Sequence, residues 1–114
     1  MVRIYHNPRC SKSRATLQLL KDRGLDPQVI EYLDTPPDAE SIRQLLTKLN
    51  FSARDLLREG EQEYRDLGLA DDSLGDEQII QAMVSHPRLI ERPIVETEGG
   101  ARIGRPPESV LEVL

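Results

Sequence analysis

Two short runs of β-branched and apolar residues, Val2 to Tyr5 and Gln28 to Tyr32, bracket a single helical stretch that starts at Ser11 and ends where Lys21 and Arg23 precede Gly24. A helix between two strands returns the chain to the same end of the sheet, so the strands pair in parallel. This β-α-β unit commits the chain to an α/β fold. Ala15, Leu17, Leu19 and Leu20 are the expected apolar contacts of the helix.

The middle of the chain has a different rhythm. Ile42, Leu45, Leu46 and Leu49 follow the i, i+3, i+4, i+7 template of an amphipathic helix. Ser52 and Asp55 have the spacing of a capping box for a short helix carrying Leu56 and Leu57, with Gly60 closing it. A further helix follows Asp76, presents Ile79, Ile80, Met83 and Val84, and stops before Pro87. Residues from about 38 to 86 therefore read as a helical insertion. Beyond it, Ile94 to Thr97 and Ala101 to Ile103 flank Glu98-Gly99-Gly100 and predict a hairpin. Pro106-Pro107 opens a last helix with Val110, Leu111 and Leu114 at packing spacing. The expected order is β-α-β, helical insertion, β-β-α, with a four-stranded sheet in one domain spanning residues 1–114.

At 114 residues the chain has room for one core and not two. Twenty acidic residues against fifteen basic ones give a net charge of -5, which disfavours nucleic acid as a partner. No apolar run approaches the roughly 20 residues of a membrane span. The start, Met1-Val2-Arg3-Ile4-Tyr5, reads as a strand rather than a signal peptide, so the expected location is the cytoplasm. One cysteine closes no internal disulfide, and with two histidines it cannot complete a four-ligand zinc site of cysteine and histidine. If that cysteine is a redox centre, the second thiol comes from another molecule.

The cysteine sits in His6-Asn7-Pro8-Arg9-Cys10-Ser11-Lys12-Ser13-Arg14, where strand gives way to helix. Free N–H groups and the positive end of the helix dipole stabilise a thiolate there, aided by the cations expected from Arg9, Lys12 and Arg14. The same N–H groups can hold an oxyanion beside the sulfur. Free cysteines are also often buried as small apolar residues, but these polar and cationic neighbours weigh against that role. A phosphatase loop is excluded, because the position that would need arginine is Thr16. A Cys-x-x-Cys dithiol is excluded by Ser13, whose hydroxyl is expected to donate to the thiolate. His6 is as readily structural as a tuner of the thiolate, and His86, before Pro87, reads as a helix-end residue. By spacing alone, Arg58, Arg92 and Arg105 are solvated charges.

Taken together, I-Y-H-N-P-R-C-S-K-S-R at 4–14, Y-L-D-T-P-P at 32–37, L-L-R at 56–58, L-G-L-A at 67–70, H-P-x-L-I-x-R-P-I-V at 86–95 and R-I-G-R-P at 102–106 resemble the glutaredoxin-linked arsenate reductases. The resemblance implies a thioredoxin-like fold with a mixed four-stranded sheet, a cis bond before Pro93, and a catalytic cysteine at Cys10 with His6 nearby. It assigns Arg58, Arg92 and Arg105 to the oxyanion and to stabilising the thiolate; Ser13 is expected in the substrate site from its own place beside Cys10. It further implies reduction of arsenate to arsenite with glutathione as co-substrate and glutaredoxin as partner, and no bound metal or organic cofactor. The chain carries Ser11-Lys12 where the best-known members carry Gly-Thr, and Arg9 where they carry a small residue. A glutathione-dependent thiol oxidoreductase with another substrate and an RNA polymerase-binding regulator of the Spx type are the alternatives, the latter disfavoured by Ser13.

Overall fold

The computed structural model describes residues 1–114. Its internal contacts divide them into two compact units, Met1–Thr35 with Arg92–Leu114, and Pro36–Glu91.

The first unit holds β1 (Val2–His6), α1 (Ser11–Asp22), β2 (Gln28–Glu31), β3 (Ile94–Thr97) and β4 (Gly100–Ile103). The strand order is β2-β1-β3-β4. As the β-α-β reading requires, β1 and β2 are parallel, with Ile4 opposite Val29. Strand β3 runs antiparallel to both β1 and β4, so the sheet is mixed. Ile4 and Val95, directly opposed on neighbouring strands, lead a core completed by Leu20 of α1 and by Val110 and Val113.

Helix α1 ends in a Schellman motif. Gly24 has φ of 75°, Leu25 N–H reaches Leu20 O at 3.1 Å, and Gly24 N–H reaches Lys21 O at 2.9 Å. Its buried line is Ser13, Thr16 and Leu20 rather than the leucines alone, and Ala15 is exposed. The last segment also departs from expectation. Pro107–Val113 is a 3-10 helix, whose three-residue turn aligns Val110 with Val113 and leaves Leu114 46% exposed.

The second unit corresponds to the expected insertion. Helix α2 (Ala39–Leu49) buries Ile42, Leu45, Leu46 and Leu49, and its N-cap Asp38 accepts from Ser41 N–H at 2.8 Å. The next segment, Ala53–Leu56, is a single 3-10 turn in which Asp55 accepts from Ser52 N–H at 2.9 Å. Gly60 does not close it. Leu57 is already extended and bridges Ile90, with Arg58 N–H on Leu89 O at 2.8 Å and Glu91 N–H on Leu56 O at 2.9 Å. A five-residue helix, α3 (Gln62–Asp66), has no buried residue and so no apolar period to announce it. Helix α4 (Asp76–Ser85) buries Ile79, Ile80 and Met83. No helix in either unit is long and apolar enough to cross a membrane.

Candidate active site

Strand β1 delivers His6 to the edge of a tight loop whose shape is set by Asn7. Asn7 Oδ1 accepts Arg9 N–H and Asn7 O accepts Cys10 N–H, both at 3.0 Å. This Asx-type turn sets Cys10 as the N-cap of α1, with φ of -98° and ψ of 123°. An N-cap residue leaves the first helical N–H groups unbonded within the helix. Here the Ser13 and Lys12 N–H groups favour the charged form of the Cys10 sulfur.

Two arginines reach the same sulfur from the far end of the sequence. Arg92 hydrogen-bonds it, and Arg105 Nη2 lies 3.5 Å from Cys10 Sγ. Burial pushes the thiol up, since Cys10 is only 9% exposed, but the Ser13 N–H, the Arg92 guanidinium and the Lys12 N–H outweigh it. The net result is a thiol below its ordinary value. The charge partners are thus not those expected from the adjacent sequence. Arg14 turns its Nη1 to Pro8 O at 3.0 Å, and Lys12 acts through its backbone.

The two segments that carry these arginines, one before β3 and one after β4, are locked to each other and to α1. The Arg92-Pro93 bond is cis, in line with the resemblance, and so is Arg105-Pro106, which nothing in the sequence beyond the proline itself signals. Gly104 N–H donates to Pro93 O at 2.9 Å, and Arg105 Nε donates to Arg92 O at 2.8 Å. A Cβ at Gly104 would lie 2.5 Å from Thr16 Oγ1 and 2.8 Å from Pro93 Cγ. Only glycine lets the three segments meet this closely.

His6 is buried, and its Nδ1 lies 2.6 Å from Ser13 Oγ, which also accepts Asn7 N–H at 3.0 Å. A neutral ring with its proton on Nε2 satisfies this network, with the Ser13 hydroxyl donating to Nδ1. Burial, opposed in part by Glu31, holds the imidazole below its ordinary pKa and keeps it neutral. The Ser13 hydroxyl therefore serves the β1 loop, and it is the Ser13 N–H that faces the sulfur.

The structure brings Cys10, His6, Ser13, Arg92 and Arg105 together within the first unit. Arg58 belongs to the second. There its Nη1 bonds Glu91 Oε1 at 2.6 Å and its Nε lies 3.4 Å from Glu61 Oε2. Glu61 is further shared with Arg88 at 3.1 Å. His86 ends α4 through its own N–H, on Ala82 O at 2.8 Å, and opens the following 3-10 turn, Pro87–Leu89, without a side-chain capping bond. Sequence reasoning passes over Asn7, Thr16, Gly104 and the two carboxylates on Arg58. Asn-Pro after a strand is the only available signal for the first of these. No group of three or more His, Cys, Asp or Glu side chains is placed to hold a metal.

Known proteins resemble this chain in sequence and in fold. Residues 5–113 match the ArsC family. The chain is 60% identical to YfgD, an uncharacterized protein of Escherichia coli strain K12, over 99% of this chain and 96% of that one. It is 46% identical to an arsenate reductase of Neisseria meningitidis, over 99% and 97% of the two chains. Among solved structures, an arsenate reductase from Vibrio cholerae superposes with a TM-score of 0.97 at 52% identity, covering 99% of this chain and 97% of that one. With the whole chain aligned in sequence and in structure, and the thioredoxin-like sheet common to both, this protein belongs to the ArsC family.

Proposed function

We propose that the chain is an arsenate reductase working in the reducing cytoplasm, with Cys10 as nucleophile and an external thiol, glutathione, as reductant. The observation that carries this reading is the Cys10 sulfur itself, at a helix start, with Arg92 and Arg105 on it and the Ser13 and Lys12 N–H groups favouring its charge. Those donors favour a thiolate, and they favour equally an anion bonded to it.

The chemistry proceeds in three steps. The thiolate attacks the arsenic of dihydrogen arsenate, an S–As bond forms, and one oxygen leaves as water. Glutathione then attacks the Cys10 sulfur, and the S–As bond pair passes to arsenic, which falls from As(V) to As(III) and departs as arsenite. A Cys10–glutathione disulfide remains, and glutaredoxin removes the glutathionyl group and regenerates the thiol. The net exchange converts two thiols and arsenate to one disulfide, arsenite and water. Arg58, Arg92 and Arg105 are assigned to the oxyanion because a guanidinium offers a planar fork of donors and keeps its charge. His6 and Ser13 hold the β1 loop and the first turn of α1 in register with the sulfur, and no metal or organic cofactor is invoked.

The test is glutathione- and glutaredoxin-dependent arsenite formation, which should vanish in Cys10→Ala. Unchanged turnover in that variant would end the proposal. A second reading, a glutathione-dependent oxidoreductase with a different substrate, is favoured by one observation: two carboxylates already bond Arg58. It predicts glutathionylation of Cys10 without arsenite formation.

A further inference from the structure

Beside the nucleophile's loop lies a cleft of about 310 Å³ between that loop and the end of β2, lined by His6, Pro8, Arg9, Glu31, Leu33 and Asp34. Neither Arg92 nor Arg105 lines it. Its volume is at the lower end for small-molecule sites, enough for a short peptide and too small for a dinucleotide. Both carboxylates and the guanidinium are exposed, and none of the three takes part in an ion pair.

We propose that this cleft binds the attacking thiol as a small zwitterionic peptide, its ammonium against Glu31 and Asp34 and a carboxylate against Arg9. The inference rests on the thiol-reductase reading of Cys10. The charge pattern selects this class. A free oxyanion is repelled by Glu31 and Asp34, and a simple cation by Arg9, whereas a ligand carrying both charges is complementary to both walls. The apolar surfaces of Pro8 and Leu33 suit the methylenes between the charged ends.

Position points the same way. Asn7 fixes the Arg9 and Cys10 N–H groups in one turn, so Arg9 is held one residue before the sulfur. Cys10 itself does not line the cleft, but Pro8 and Arg9, the two residues that lead into it, do. His6, buried and neutral, forms part of the wall and adds no competing positive charge. Binding by ionic ends rather than by the thiol alone makes the site selective among thiols of similar intrinsic reactivity.

The test uses the protein without arsenate. Reduced protein is mixed with oxidised glutathione or with hydroxyethyl disulfide, which has no charge, and the Cys10 mixed disulfide is followed by mass spectrometry. In each case the thiolate attacks one sulfur, a new S–S bond forms, and the other half leaves as a thiolate. The readout is the ratio of the two rate constants, which cancels any change in the reactivity of Cys10. Arg9→Gln should lower the ratio about fivefold, the fold-change of one exposed ion pair of about 1 kcal/mol. The double variant Glu31→Gln/Asp34→Asn should lower it by about tenfold, and Arg9→Lys should restore most of the first loss. A ratio unchanged in the variants, or both disulfides slowed alike, overturns the proposal. Selective exchange without arsenite formation would leave this cleft standing and retire the oxyanion reading, and arsenite formation with unchanged ratios would do the reverse.

Discussion

Replacing Gly104 by alanine should destabilise the first unit out of proportion to one methyl group. The new Cβ would stand 2.5 Å from Thr16 Oγ1, 3.1 Å from Thr16 Cγ2 and 2.8 Å from Pro93 Cγ. Each is well inside the roughly 3.5–4.0 Å at which non-bonded atoms attract. Thr16 cannot simply rotate away. It is fully buried, and its hydroxyl donates to Lys12 O at 2.8 Å, so a new rotamer gives up that bond. The proline ring is stiffer still. The strand exit must shift outward, stretching the 2.9 Å bond from Gly104 N–H to Pro93 O. Overpacking of this kind costs about 1–3 kcal/mol. Against it stands about 0.4–1 kcal/mol from restricting the unfolded chain. A net loss of about 1.3 kcal/mol follows, or roughly 6 °C in Tm for a chain of this size.

The assay is urea unfolding of reduced protein, where the midpoint should fall with the m-value unchanged. Thr16→Ala removes two of the three close atoms, so the double variant should be more stable than the sum of the singles by about 1 kcal/mol. Because Arg105 follows Gly104 directly, Gly104→Ala should also raise the Cys10 pKa well below the unfolding temperature. Equal stability of Gly104→Ala and the parent, or strict additivity with Thr16→Ala, would refute the close-packing account.

Two further outcomes rest on the electrostatics. Arg92→Leu should raise the Cys10 pKa, because the Arg92 guanidinium both hydrogen-bonds the sulfur and favours its charged form; thiolate absorbance against pH measures it, and an unmoved titration would assign the lowered pKa to the helix start alone. His6 has its folded-state pKa depressed, so its contribution is complete above the unfolded value of about 6.5 and is lost as pH falls through the folded value. The stability difference between parent and His6→Asn, from denaturation at several pH values, should therefore shrink below about pH 6.5, and a difference that grows on acidification would contradict a buried neutral ring.

Much of the fold can be read from residue order, and the exceptions share a physical cause. The stripe Ile42, Leu45, Leu46 and Leu49 is apolar because it does nothing but pack, and all four residues are buried as their spacing requires. Helix α1 obeys a second demand. Its buried positions 13 and 16 carry serine and threonine, one bonded to His6 and the other abutting Gly104, so hydrophobic period alone misplaces its inner face. Spacing cannot set the pitch of the C-terminal segment, because Val110, Leu111, Val113 and Leu114 satisfy either helical geometry on paper. For the site, the thiol's helix-start setting is local and can be read directly. The meeting of Cys10 with Arg105, 95 residues away, depends on sheet topology, and only the family resemblance anticipates it.

The bond from Arg105 Nε to the Arg92 carbonyl joins the two guanidinium-bearing residues through one peptide group. Their side chains therefore do not vary independently. A substitution at 105 frees the carbonyl that helps fix the peptide plane behind Arg92, and a backbone shift at 92 moves the anchor of Arg105. For anyone reshaping this chain toward another anion, positions 92 and 105 form one unit of inheritance. Libraries should therefore vary them together rather than singly.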